Sequence, residues 1–144
     1  MVSLIEISET ELYDAVRKSY EGDNIGLEMF HVERFTLNEA VKCTMDMIKD
    51  ASKLFEFIYF EIWGNGEMIG YSVLSGKLLY SFCINVKYRT KDIILQWWNI
   101  VKDILDNDFY TAVYENNTRA INFLKKRGMV LDRQNENLLI FKTK

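Results

Sequence analysis

Between residues 55 and 84 the chain carries three short apolar runs separated by two tight turn signals, and no other feature restricts its fold as strongly. The first run, 55–63, is apolar or aromatic on both alternating sets of positions, with Phe57, Ile58, Tyr59, Phe60 and Ile62. A strand with one wet face alternates polar and apolar residues, so a run of this kind predicts a strand covered on both sides. Gly64-Asn65-Gly66 turns the chain into a second run, 68–74, and Ser75-Gly76 turns it into a third, 77–84. Tight hairpin turns need positive φ, which Gly and Asn adopt at little cost. Three meandering antiparallel strands with both faces covered require helices on each side of the sheet.

The rest of the sequence supplies those helices. A short strand over 2–7 precedes Ser8-Glu9-Thr10-Glu11, a capping box, after which Leu12, Ala15, Val16 and Tyr20 share one helical face up to Gly22. Thr36-Leu37-Asn38-Glu39 repeats the box ahead of the stripe Leu37, Ala40, Val41, Met45 and Ile48. Residues 23–35 fit neither period. After the third strand a polar link, 85–92, leads to a helix that turns Ile93, Ile94, Trp97, Val101, Ile104 and Leu105 inward. A strand over 109–114 follows, then a helix capped by Asn116 or Asn117, carrying Ala120, Ile121 and Leu124 and ending at Gly128. Runs at 129–131 and 138–141 read as a last hairpin turning through Arg133-Gln134-Asn135-Glu136. The order β-α-α-β-β-β-α-β-α-β-β predicts an α/β (α+β) domain over 1–144, with a mixed, mostly antiparallel sheet of about seven strands and helices on both faces.

Composition excludes several function classes. With 144 residues and 49% apolar content, one core needs no disulfide or metal staple. The net charge is −3 and the longest basic run is Lys125-Lys126-Arg127, which is not the footprint of a nucleic-acid binder. Cys43 and Cys83 fall in apolar-patterned segments and are expected to be buried free thiols, and one His with two scattered Cys has no zinc spacing. No uncharged apolar run reaches about 18 residues, so no membrane role is expected and the expected location is cytoplasmic.

The stretch Tyr114-Glu115-Asn116-Asn117-Thr118-Arg119-Ala120-Ile121-Asn122-Phe123-Leu124-Lys125-Lys126-Arg127-Gly128 resembles the C-terminal motif of the GCN5-related N-acetyltransferase (GNAT) superfamily, Asn-x-x-Ala-x-x-Phe-Tyr-x-x-x-Gly-Phe. The element order is also that family's. Residues 84–94 stand where the family has its pyrophosphate loop, Arg/Gln-x-x-Gly-x-Gly/Ala. The resemblance implies acetyl-CoA as cofactor, with Arg89, Thr90, Lys91, Asp92 and Asn117 at the positions that would hold it. Such a loop offers successive backbone N–H groups at a helix N-terminus, and glycine lets the pyrophosphate approach. In this register Thr90, Asp92 and Ile94 replace the usual glycines, Asp92 is expected to cap a helix beginning at Ile93, and Arg89 and Lys91 remain to meet phosphate.

In the family a base or water relay deprotonates the amine and a Tyr protonates the leaving thiolate. Leu124 stands at that Tyr position, and Met129 replaces the usual Phe. The candidate catalytic residues are therefore Glu61 and Tyr110, with Tyr80 and Tyr114 also on strands flanking the cleft. His31 and Cys83 are weighed as base and nucleophile and set aside, the first as a lone His in an irregular segment, the second for want of a neighbouring cation. Trp98 lies off the buried stripe of its helix and suggests a contact surface. The wording Ala120-Ile121-Asn122-Phe123-Leu124-Lys125-Lys126-Arg127-Gly128 further resembles acetyltransferase-like proteins of tailed bacteriophages, some of them virion-associated. Two functions follow as expectations. One is a GNAT-fold interaction or structural module with a degenerate acetyl-CoA loop, partnered by protein or by its own copies and located in a virion if phage-encoded. The other is an active acetyl-CoA-dependent N-acyltransferase on a small-molecule or protein amine.

Overall fold

The computed structural model describes residues 1–23 and 36–144. Along the described chain run β1 (Val2–Ile7), α1 (Glu9–Tyr20), α2 (Leu37–Ala51), β2 (Ile58–Gly64), β3 (Glu67–Ser75), β4 (Leu78–Ile84), a single 3₁₀ turn (Val86–Tyr88), α3 (Lys91–Ile104), β5 (Tyr110–Tyr114), α4 (Thr118–Lys126), β6 (Val130–Asn135) and β7 (Leu138–Lys142). The strands form one sheet in the order β1-β2-β3-β4-β5-β7-β6. Every neighbouring pair is antiparallel except β4 and β5. The mixed, mostly antiparallel seven-stranded sheet expected from the sequence is the sheet observed.

The capping boxes set where the first two helices begin. Thr36 Oγ1 accepts from the Glu39 N–H at 3.1 Å while Glu39 Oε1 accepts from the Thr36 N–H at 2.9 Å. At α1 the Glu11 carboxylate takes both the Ser8 N–H and the Ser8 hydroxyl. These bonds satisfy donors that a helix start leaves open. The β2–β3 turn has Asn65 and Gly66 both at positive φ, 55° and 79°, the geometry that matches strand twist in a two-residue hairpin.

Each face of the sheet carries its own core. On one, Trp97, Trp98 and Val101 of α3, Leu105 at its C-cap and Leu124 of α4 pack on Ile62, Leu79, Phe109 and Phe141. On the other, Leu12, Val16 and Tyr20 of α1 and Val41 and Ile48 of α2 pack on Tyr71, Val73 and Cys83. Trp98 belongs to the first core. It is only 2% exposed, with ring centroids 5.4 Å from Phe109 and 5.2 Å from Phe123, so it is a core residue and not the contact surface expected from its helical position. The helical stripe here is wide enough to bury two adjacent tryptophans, because α4 closes over the flank of α3 through Phe123.

Two boundaries differ from the sequence reading. The first long strand begins at Ile58 rather than 55, because the Leu54 and Phe55 N–H groups both bond back to the Ala51 carbonyl and close the end of α2. The final hairpin turns at Glu136-Asn137, so Arg133, Gln134 and Asn135 lie in β6 and not in a loop. As an edge strand paired only with β7, β6 exposes nearly all of its side chains, and its polar sequence reads as a turn.

Candidate functional site

Only two residue pairs join the parallel strands β4 and β5, Leu78 with Tyr110 and Leu79 with Thr111. The next residue of β4, Tyr80, is an extra one: Leu79 pairs with Leu74 of β3 and Ser81 with Val73, leaving Tyr80 unmatched. Such a bulge bends a strand and re-aims its side chains. From there β4 pairs only with β3, and β5 only with β7. A cleft of about 230 Å³ fills the gap, lined by both strands, by α1, α2 and β3, and by Asn117 at the start of α4.

Tyr80 and Tyr114 stand on the walls of this cleft, as expected of strands flanking it. The Tyr80 hydroxyl donates to the Met47 carbonyl of α2 at 3.3 Å. Burial pushes both phenols above their ordinary range, so both stay protonated around neutrality. Along the cleft floor runs a chain of four hydroxyls: Thr44 to Tyr20 at 2.8 Å, Tyr20 to Tyr71 at 3.0 Å, and Tyr71 to Ser81 at 2.7 Å. Burial drives the Tyr20 and Tyr71 phenols well up, which keeps the chain uncharged. Sequence reading missed this chain, since its members come from α1, α2, β3 and β4 and only the sheet register brings them together.

The two expected catalytic residues stand elsewhere. Glu61 sits on β2, with β3 between it and β4, and its carboxylate accepts from the Trp63 indole N–H at 3.0 Å. Tyr110 is 41% exposed and lies at the end where β4 and β5 still pair, away from the opening. Neither lines the cleft. Leu124 is buried in the core, and His31 lies outside the described residues.

The segment from β4 into α3 is tied down by three residues. Asn85 is 6% exposed. Its amide donates to the Lys18 and Glu21 carbonyls at 2.7 and 3.0 Å, and its Oδ1 accepts from the Lys87 N–H at 3.0 Å. Arg89 turns inward, with Nε donating to the Ile84 carbonyl at 2.7 Å and an η nitrogen pairing with Asp23 and reaching Cys83 Sγ at 3.4 Å. Thr90 is the N-cap of α3, its Oγ1 accepting from the Ile93 N–H at 3.3 Å. This corrects the expectation for Asp92. The helix begins at Lys91, the cap is Thr90, and Asp92 lies in the first turn, where its carboxylate accepts from Gln96 Nε2 at 3.0 Å. Threonine competes well for the cap because its short hydroxyl reaches back to the third N–H of the helix.

Lys91 and Asp92 are exposed, and Asn117 caps α4 by accepting from the Ala120 N–H at 3.2 Å. Cys43 and Cys83 are free thiols, as expected, although Cys43 is only half-buried. Cys83 does have a cationic neighbour in Arg89, contrary to the sequence reading. Burial outweighs that cation and pushes the thiol up to about 12, so it remains protonated and unreactive.

No family model matches the sequence, and no curated protein matches it either. Solved structures do. An acetyltransferase from Thermus thermophilus superposes with a TM-score of 0.72 at 15% identity, covering 99% of this chain and 96% of that one. The PaiA N-acetyltransferase of Thermoplasma acidophilum, solved in complex with coenzyme A, gives 0.67 at 13% identity, covering 100% and 99%. A GNAT-family acetyltransferase from Desulfovibrio desulfuricans gives 0.66 at 11%, covering 100% and 99%. The chain has the fold of the GNAT acetyltransferases over its whole length.

Proposed function

We propose that this chain uses the acetyltransferase scaffold as a binding or structural module and that its acetyl-CoA loop no longer receives the pyrophosphate. The observation that carries this reading is the inward turn of Arg89. The guanidinium that the resemblance sets against phosphate is engaged by the Ile84 carbonyl and the Asp23 carboxylate. Asp92 adds a negative charge to the first turn of α3, where helix N–H groups would otherwise attract an anion. Side chains at Thr90, Asp92 and Ile94 also keep a ligand from the close backbone approach that glycine permits. Acetyl-CoA therefore does not fit the loop as these residues stand.

At the reacting end, Leu124 offers no proton, and Glu61 and Tyr110 lie off the cleft. A protein partner or a second copy of the chain is the alternative client of the scaffold. Leu54 at 84% exposure, beside exposed Phe55 and Ile58, supports such a contact. The phage-like wording of residues 120–128 supports a virion as its setting.

The competing reading, an active N-acyltransferase on a small-molecule or protein amine, draws on the likeness to a structure holding coenzyme A and on Tyr80 and Tyr114 at the cleft. Incubating the protein with acetyl-CoA and a panel of amines, with thiol release as the readout, separates the two. The module reading expects no release above the protein-free rate. Turnover that falls in Glu61→Gln or Tyr110→Phe would establish the enzyme and restore those residues as its machinery.

A further inference from the structure

The geometry points to the free edge of β1 as the surface to which a second copy of this chain adds, β1 against β1, antiparallel about a two-fold axis through Leu4. The inference names the second copy that the module reading calls for, and it rests on that reading. Among the described residues β1 pairs with β2 alone. The Val2 N–H donates to Gln96 Oε1 at 2.9 Å, so it does not point at β2. Bonding direction alternates along a strand, so Ser3, Ile5 and Ile7 bond to β2 while Val2, Leu4 and Glu6 turn their backbone groups to the edge. The middle of the sheet agrees. The Ile69 carbonyl accepts from the Asn85 N–H, which turns Tyr71 toward β4 and its neighbour Glu61 toward Ile5 of β1.

The two edges of the sheet differ. β6 has a bulge between Leu131 and Arg133, an Asp132–Lys142 ion pair at 3.3 Å and exposed polar side chains, devices that keep an edge from pairing. β1 lies against β2 with no register shift and holds no Lys, Arg or Pro. Its Ile5 is 46% exposed, and on α3 the flank that carries Gln96 continues through Ile100 to Ile104, 40% exposed. A flat, apolar edge of this kind is a template for another strand.

The outward groups are self-complementary, which selects a second copy as the occupant. With Leu4 opposite Leu4 of the second copy, the two residues exchange N–H···O bonds, and each Glu6 N–H donates to the Val2 carbonyl of the other chain. Gln96 already serves the Val2 N–H, so that donor needs no partner. Charge fits the same register. Glu6 lies opposite Val2, and the two Glu6 residues stand ~13 Å apart along the strands, beyond a screening length of about 8 Å at physiological salt. Sliding one strand by two residues would bring them to ~7 Å. It would also set Val2 against Ser8, whose N–H is held by Glu11.

The test is sedimentation equilibrium of the intact protein from micromolar to millimolar concentration, with amide hydrogen exchange at both ends of the range. A monomer–dimer equilibrium is expected, with the Leu4 and Glu6 amides exchanging more slowly as dimer forms. Glu6→Pro removes an N–H that faces the edge, where Pro is tolerated, so the monomer should melt as the wild type does. The two-fold axis loses that bond twice, and dimer affinity should fall about thirtyfold. Ile5→Pro removes an N–H bonded to β2 and should lower the melting temperature instead. Leu4→Cys, in a Cys43→Ser background, should cross-link copy to copy on mild oxidation and decides the matter if Glu6→Pro does not fold. The proposal is overturned if the wild type is monomeric at millimolar concentration, if Glu6→Pro associates undiminished, or if Leu4→Cys copies do not cross-link. It is overturned equally if the Leu4 and Glu6 amides are protected at every dilution, since the chain would then cover its own edge. Thiol release from acetyl-CoA is read on the same samples: release by a dimer sinks the module reading alone, and a monomer without release sinks this proposal alone.

Discussion

Changing Asp92 to Asn alters the charge at the start of α3 and almost nothing else. The amide keeps the shape of the carboxylate and can still accept from Gln96 Nε2, and the Thr90 cap is untouched. Two consequences of opposite sign follow. A carboxylate in the first turn stabilises a helix by about 0.3–1 kcal/mol, and Asp92 is exposed, so the loss should lie toward the lower end. An anion about 5 Å from that carboxylate would be repelled by roughly 3 kcal/mol at an effective dielectric near 20, or about two decades in affinity. Asp92→Asn should therefore lower the urea midpoint slightly while raising acetyl-CoA affinity, and the gain should shrink as salt is added. Calorimetric titration of both proteins at low and moderate ionic strength, paired with urea unfolding, measures both. If affinity stays flat in Asp92→Asn, and again when Thr90 and Ile94 are also changed to Gly, then loop charge and bulk are not what exclude the donor, and the reasoning fails.

Three further outcomes follow from the packing. Trp98→Ala should cost about 3–5 kcal/mol in urea unfolding and leave the sedimentation coefficient unchanged, whereas a change of oligomeric state at full stability would return Trp98 to an interface. Gly70→Ala should prevent stable folding, because a Cβ there would lie 2.3 Å from the Cys83 carbonyl and 3.1 Å from the Ile84 Cα; a variant with a wild-type melt would mean that β3 and β4 pass less closely than described. Cys83 holds its proton to about 12 in the folded protein, against an ordinary value of 9.0. The unfolded chain therefore loses this proton first as pH rises, and stability should fall from about pH 9 upward, by on the order of 2 kcal/mol at pH 10.5. Urea midpoints that hold steady or rise between pH 8 and 10.5 would contradict this, as would rapid alkylation of Cys83 in native protein at pH 8.

The meander, the two capping boxes and the order of elements along the chain were legible because each rests on local chemistry. Asn65-Gly66 dictates its own turn, Thr36 and Glu39 close their own box, and apolar spacing marks which face is buried. The site was legible only in part. Arg89 looked like a free cation because its partner, Asp23, lies 66 residues away and meets it only once α1 packs beside the end of β4. Asn85 gave the same kind of silence: a polar residue in a polar link becomes a buried anchor when α1 ends above it and offers two carbonyls. Trp98 misled for a related reason, since a helical period describes a helix against a flat neighbour and α4 makes the neighbourhood concave. Tyr110 was chosen by strand, and strand membership does not say which end of the splayed β4–β5 pair a side chain occupies, while Glu61 stands on β2, separated from that pair by β3. The bulge at Tyr80, which begins the splay, has no signature in the sequence.

The central proposal is that the segment 84–94 does not receive the pyrophosphate, because Arg89 is engaged by the Ile84 carbonyl and by Asp23. Calorimetric titration of the unmodified protein with acetyl-CoA at low salt addresses it most directly. The account predicts no saturable heat up to millimolar donor, with the amides of Thr90 to Ile94 unmoved in a parallel NMR titration. Saturable binding at micromolar concentration, with those amides shifting, would contradict it and would mean that Arg89 leaves Asp23 to meet the phosphates.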